Sequence, residues 1–122
     1  MDKIKVLIAD DHRVVREGLA AILKTKEDLH IVGEAQDGME AVEKAKALVP
    51  DVILMDVSMP RMGGVEATRQ IKREFPHIGI VALTMYEEQQ YIFDLVRAGA
   101  TGYLLKDSES SQIVAAIRAI YR

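Results

Sequence analysis

Five polar side chains stand at the ends of apolar runs in this 122-residue chain. Asp10 and Asp11 follow Ile4-Lys5-Val6-Leu7-Ile8-Ala9, and Asp56 follows Val52-Ile53-Leu54-Met55. Thr84 follows Ile78-Gly79-Ile80-Val81-Ala82-Leu83, and Lys106 follows Thr101-Gly102-Tyr103-Leu104-Leu105. Gathered in one pocket, three carboxylates, a hydroxyl and an ammonium suit Mg2+ and phosphoryl chemistry. Mg2+ takes hard oxygen ligands in near-octahedral geometry, and the three aspartates can supply them. Without a cation the carboxylates repel and at least one pKa rises; a divalent ion removes that conflict and can orient a phosphoryl donor. Asp56, on the middle run, is the natural nucleophile for an aspartyl-phosphate. Lys106 offers a mobile positive charge, and the Thr84 hydroxyl can bond a phosphoryl oxygen. Singly, each residue has a plainer role: an Asp after a strand caps a helix, a Thr at a strand end caps or turns, and a Lys is solvated. Their joint placement at four strand ends argues for a site.

That argument needs elements that bring the ends together. Short apolar runs alternate with helical periods five times. Val15, Leu19, Ile22 and Leu23 recur at helical spacing after the first run. Leu29–Ala35 reads as a strand with a polar fringe. Ala41, Val42, Ala45 and Leu48 form a helical face entered at Asp37-Gly38 and stopped near Pro50. Val65, Thr68, Arg69 and Ile71 mark a weaker helix ending before Pro76. Ile92, Phe93, Leu95 and Val96 mark a fourth helix with Gly99 as its stop. Ile113, Ile117 and Ile120 make the last stripe, with Ser108 or Ser110 as its N-cap. Such βα units imply parallel strands joined by right-handed crossovers. Near-continuous apolar strands fit a sheet covered on both faces. A doubly wound sheet of this kind places its site beyond the strand C-termini.

Composition narrows the function. Apolar residues make up 49% and charged residues 29%, enough for one packed domain over residues 1–122. There is no cysteine, which agrees with a reducing cytosol. No apolar run approaches the ~20 residues that span a bilayer, so no membrane partner is expected. A net charge of -3 argues against a nucleic-acid surface.

The motifs Val6-Leu7-Ile8-Ala9-Asp10-Asp11-His12, Asp51 to Gly64, Ile80-Val81-Ala82-Leu83-Thr84 and Ala98 to Lys106 together resemble the receiver domain of a two-component response regulator. Arg16-Glu17-Gly18-Leu19 after Asp11-His12, with Gly102-Tyr103-Leu104-Leu105-Lys106-Asp107, is similar to the NarL/FixJ subfamily. The resemblance implies an α/β flavodoxin-like (βα)5 sandwich with a parallel sheet in order 2-1-3-4-5. It implies that Asp56 accepts a phosphoryl group from a sensor histidine kinase in the cytoplasm. It implies that Asp10, Asp11, Asp56 and the Ser58 backbone carbonyl hold Mg2+ (or Mn2+), that Thr84 and Lys106 bind the phosphoryl oxygens, and that Tyr103 is the switch aromatic. A homodimer on activation is expected. DNA contact is expected only through a C-terminal helix-turn-helix output domain outside this chain, and no external substrate is expected to be turned over.

Other residues carry open alternatives. Tyr103 is either the switch or a plain sheet-edge aromatic. Ser58 and Tyr86, each two residues past a pocket residue, are expected to set the phosphate's lifetime at the rim. His12 fringes the pocket or starts a helix. Met59-Pro60-Arg61-Met62-Gly63-Gly64 is a turn-rich loop whose glycines allow close approach and positive φ. Glu87-Glu88-Gln89-Gln90 reads as a solvated first helical turn, and Val114 and Tyr121 as residues of an interface. The Lys106-Asp107 bond lacks the proline that favours cis, and its isomer stays open. Two other functions compete. A phosphatase of the haloacid dehalogenase type usually places Asp-x-Asp at its first strand and encloses substrate under a cap, and neither feature is present. An FMN carrier needs a phosphate-cradling loop where Asp10-Asp11 would repel phosphate.

Overall fold

The computed structural model describes residues 3–85 and 89–122. Among the described residues ten elements alternate: β1 (Ile4–Ala9), α1 (Arg13–Lys24), β2 (Leu29–Ala35), α2 (Gly38–Leu48), β3 (Val52–Asp56), α3 (Gly64–Glu74), β4 (Gly79–Thr84), α4 (Gln89–Ala98), β5 (Gly102–Leu105) and α5 (Ser110–Tyr121). The strands form one parallel sheet in the order β2-β1-β3-β4-β5, as expected. The register sets Ala9 beside Met55, Asp56 beside Leu83, and Thr84 beside Leu105. The C-terminal ends of the four strands after which the polar residues stand therefore share one edge.

Side chains alternate across a strand, and β1 divides its residues between two cores accordingly. Val6 and Ile8 join Leu54, Val81 and Leu83 under Leu19 and Leu23 of α1 and Ile113 and Ile117 of α5. Leu7 and Ala9 join Ile53, Met55 and Ile80 under Ala41 and Ala45 of α2 and Ala67 and Ile71 of α3. Ala82 meets Leu95 of α4 beside Val57. Burying each large aliphatic residue contributes about 1.5–3 kcal/mol, so both layers resist any shift of register.

Helix ends follow local chemistry, with two corrections. Asp37 caps α2 as expected, accepting from the Glu40 backbone N–H at 2.8 Å. Gly99 takes φ 105° and ends α4. The N-cap of α5 is neither serine: Glu109 holds it in a reciprocal box with Gln112, because their side chains reach each other's backbone N–H. Val114 is not an interface residue, since the turn of α5 carries it into the core, only 3% exposed. Tyr121 does remain exposed, as do Phe93 and Val96 of α4.

Gly64 opens α3 directly against β3. An added Cβ there would lie 2.1 Å from the Asp56 carbonyl oxygen, which belongs to the sheet and cannot yield cheaply. Gly64→Ala is therefore expected to cost about 1–3 kcal/mol in urea unfolding. Gly18→Ala, in exposed mid-helix with nothing within 4 Å of the new methyl, is expected to gain about 0.5–1 kcal/mol. Equal effects at the two sites would refute this account of the β3–α3 junction.

Candidate functional site

Each site residue owes its place to a strand end. Asp10 continues β1, and its N–H donates to the Ala35 carbonyl at 3.0 Å. The residue after Asp56, Val57, donates to the Leu83 carbonyl at 3.1 Å, and Lys106 donates to the Thr84 carbonyl at 2.8 Å. Sheet pairing thus runs one residue past the strands and fixes the pocket floor. Asp10, Asp56 and Thr84 are buried there, while Asp11 is partly exposed.

Lys106 joins the two buried acids. Its Nζ lies 3.0 Å from Asp10 Oδ2 and 3.1 Å from Asp56 Oδ1. The Ser58 backbone N–H adds a long bond of 3.4 Å to Asp56 Oδ1. Asp56 Oδ2 is buried with no hydrogen-bond partner among the described residues. Asp10 Oδ2 also lacks hydrogen-bond geometry, so its contact with Lys106 is an ion pair by distance. Burial first, and the Asp10 charge second, push the Asp56 pKa up to about 6 against the opposing pull of Lys106 and the Ser58 N–H. Burial works against the Lys106 ammonium, but the negative carboxylates of Asp10 and Asp56 beside it outweigh that and hold its pKa above the ordinary lysine value. One shared ammonium cannot fully neutralise two buried carboxylates.

Asp10, Asp11, His12 and Asp56 each offer a ligand atom, and these atoms lie within 4.8 Å of one another. The donor set is rich in carboxylate oxygen, and three of those oxygens, Asp10 Oδ2, Asp11 Oδ1 and Asp56 Oδ2, are buried without a hydrogen-bond partner among the described residues. The arrangement fits a divalent cation. The aspartates do not cap α1: His12 occupies that position and makes no side-chain cap bond, while its N–H donates to Asp10 Oδ1 at 2.8 Å. His12 thus both begins α1 and fringes the pocket, with Nδ1 3.1 Å from Asp11 Oδ1.

Of the residues expected from sequence, Asp10, Asp11, Asp56, Thr84 and Lys106 gather at this edge, with Ser58 exposed beside them. Tyr103 projects from β5 with its ring half exposed. Tyr86, Glu87 and Glu88 lie outside the described residues, as do the side chains of Gln89 and Gln90. The Lys106-Asp107 bond is trans.

Two arginines with no role in the sequence reading brace the pocket. Arg16 donates from Nη1 to the Asp10 carbonyl at 2.7 Å and from Nε to Glu34 on β2 at 3.2 Å. Arg61 grips Asp37 Oδ2 through Nε and Nη2 at 3.0 and 2.8 Å, and the Gly38 N–H donates to the Met62 carbonyl at 2.9 Å. The loop after β3 is so tied to the start of α2. Positive φ in that loop falls at Arg61 (64°), not at Gly63, whose φ is -76°. The glycine contribution to the loop is close approach, as at Gly64. Helical spacing from β1 could have flagged Arg16; nothing in the sequence marks Arg61.

The sequence profile described as "Response regulator receiver domain" matches residues 6–118. The chain belongs to the response regulator receiver domain family. Oxygen regulatory protein NreC of Staphylococcus carnosus is 44% identical over 120 residues, 98% of this chain and 55% of that protein. Response regulator VraR of Staphylococcus saprophyticus is 46% identical over 118 residues, 97% of this chain and 56% of that protein. The receiver domain thus spans about half the length of these curated relatives. Among solved structures, the signal receiver domain of the putative response regulator NarL from Mycobacterium tuberculosis superposes with a TM-score of 0.93 at 34% identity, covering 99% of this chain and 98% of that one.

Within the receiver fold, the raised Asp56 pKa has a definite sign. Its folded value, about 6, lies above the ordinary 3.8, so ionised Asp56 costs stability above about pH 6 and nothing below the unfolded value. In chelator, Asp56→Asn is expected to be more stable than the native chain at neutral pH. The gap should close as pH falls from about 6 towards 3.8. A gap that stays constant across that window in urea titrations would remove burial of the charge as the cause.

Proposed function

We propose that this receiver domain, over residues 1–122, is a phosphorylation-driven switch in which Asp56 takes a phosphoryl group from a sensor histidine kinase. The observation that carries the reading is the Lys106 ammonium held between Asp10 and Asp56, with Asp56 Oδ2 buried and unpartnered beside it. The free oxygen is the nucleophile. It attacks phosphorus as the bond to the donor imidazole breaks, and the nitrogen keeps the bonding pair. A pKa of about 6 leaves Asp56 mostly ionised at neutral pH, yet more basic than an ordinary carboxylate. Asp10, Asp11, Asp56 and the Ser58 carbonyl would hold Mg2+ (or Mn2+). The ion, when bound, neutralises charge on the acids and on the transferring group.

Lys106 then shifts from carboxylate to phosphoryl oxygen, and Thr84 supplies a hydroxyl to a second one. Because the Lys106 N–H is bonded to the Thr84 carbonyl, the two move as a pair and pull on β5, where Tyr103 is the switch aromatic. Supported by the regulatory names of its relatives, we read the output as a DNA-binding transcription domain following this chain, dimerised on activation and working in the cytoplasm. The phosphate is hydrolysed within the domain, no external substrate is turned over, and Ser58 and Tyr86, each two residues past a pocket residue in sequence, set its lifetime.

A small acyl phosphate with Mg2+ is expected to add one phosphoryl group to the chain, read by mass spectrometry. The gain should vanish in Asp56→Asn and in chelator, and its rate should fall on the order of 100-fold in Lys106→Ala. Modification that survives Asp56→Asn would move the acceptor elsewhere, and rapid turnover of a small phosphoester would make the protein an enzyme. For the rim, Tyr86→Ala should alter the dephosphorylation rate; an unchanged rate removes Tyr86 from the account.

A further inference from the structure

We propose that the N-terminal end of the sheet carries a binding site for a small oligophosphate, separate from the acidic pocket and independent of its chemistry. A cavity of about 710 Å³ lies there, lined by Lys3, Lys5, His30, Asp51 and Tyr121. Lys5 stands five residues before Asp10 on the same strand line. At about 3.3 Å of rise per residue, the two ends are about 16 Å apart.

The lysines of this chain divide into two sets of four. Lys44 pairs with Glu40, Lys46 with Glu74, and Lys106 with Asp10 and Asp56. Lys72 donates to the carbonyls of Pro76 and Ile78. Lys3, Lys5, Lys24 and Lys26 have neither an ion pair nor a side-chain hydrogen bond among the described residues. Lys26 reaches Asp28 through charge alone, since Arg118 takes both oxygens of that carboxylate at 2.8 and 2.9 Å. All four free lysines gather at this end of the sheet. Lys3 and His30 also line a second cavity, of about 380 Å³, together with Lys24, Lys26 and Glu27. The acids here do not cancel the set. Asp51 turns Oδ2 to the Lys5 backbone N–H at 2.8 Å, not to an ammonium, and its own N–H returns to the Lys5 carbonyl at 2.8 Å. Four ammoniums against the carboxylates of Asp51 and Glu27 leave a local positive excess in a chain whose net charge is -3.

Lys5 and His30 are register partners on β1 and β2, so their side chains stand side by side on one face of the sheet. A recess lined by one sign of charge focuses its field on the opposite sign. Ammoniums on flexible stems bind phosphate oxygens as point charges. The volume suits a small molecule, for which pockets run to about 300–1,000 Å³. Because the two cavities share Lys3 and His30, a linear chain of phosphates can meet more lysines than a single phosphate can. Tyr121, on the last turn of α5 and half exposed, adds a planar apolar wall on which a base can stack. The phosphate chain is the recognised chemistry, carried either free or on a nucleotide.

Amide NMR of the 122-residue chain tests this in chelator, which keeps divalent ions from bridging a phosphate to the acidic pocket. Sodium triphosphate is expected to shift the amides of Lys5, His30 and Tyr121 in a saturable way, with those of Asp10 and Asp56 unmoved. Lys5→Gln should weaken binding about tenfold; its side chain is exposed and unbonded, so the fold is kept. Lys46→Gln removes the same charge elsewhere and should leave the affinity unchanged. ATP binding tighter than triphosphate, with the advantage lost in Tyr121→Ala, supports a nucleotide as the carrier; equal or weaker ATP binding supports a free oligophosphate. No saturation by about 10 mM of either compound, or an equal loss in Lys5→Gln and Lys46→Gln, overturns the proposal.

Discussion

Two buried carboxylates share one ammonium, and the rest of the molecule is arranged around that shortage of charge. Asp10 and Asp56 sit at adjacent strand ends with Lys106 between them. An isolated buried charge is costly, and an ion pair in low dielectric offsets that cost only when its geometry is good. Here one cation serves two anions, so the Asp56 carboxyl holds its proton up to about pH 6. The pocket is under-neutralised as built. Any added positive charge, whether a divalent ion or a proton, relieves it. That makes the site responsive in a way that a satisfied salt bridge would not be.

Holding such a pocket open requires a frame that does not yield. The frame is the parallel sheet, continued one residue past β1, β3 and β5 by backbone bonds. Around it, Arg16 fastens the Asp10 carbonyl to Glu34, and Arg61 fastens the loop after β3 to Asp37. A non-glycine residue at φ 64° is strained by its Cβ. Arg61 stays there because its guanidinium makes two bonds to a carboxylate that is only 6% exposed. Gly64 completes the frame by letting α3 start against the Asp56 carbonyl.

The parts of this arrangement that depend on period and position were legible in the sequence. β1 and β2 fall where the apolar runs place them, and strand order follows from the family pattern. The polar residues at four strand ends met because parallel strands point one way. What stayed hidden depends on side-chain reach. Glu109 displaced two serines as the cap of α5 because Gln112 stands three residues on and can reciprocate. Val114 looked peripheral only until the packing of α5 on the sheet set its rotation. Arg61 takes the positive φ that two neighbouring glycines seemed to invite, since its partner Asp37 lies far away in sequence.

Backbone bonding runs from the pocket towards an exposed face on the β5 side. Lys106 is tied by its N–H to Thr84, and three residues earlier Tyr103 stands half exposed. Beside that ring is a cavity of about 390 Å³ lined by Leu95, Val96, Ala100, Thr101, Gly102 and Tyr103. Phe93 and Val96 of α4 are exposed on the helix that borders it. An aromatic ring with an adjacent recess has two places to sit, which is what a two-state element requires. Turning such an element from 1:99 to 99:1 takes about 5.5 kcal/mol of differential interaction. Charge-assisted hydrogen bonds contribute about 1.5–3 kcal/mol each. The bonds that Lys106 and Thr84 would make to a phosphoryl group therefore fall near or somewhat below that requirement. A switch built from them works only if the two ring positions start within a few kcal/mol of each other.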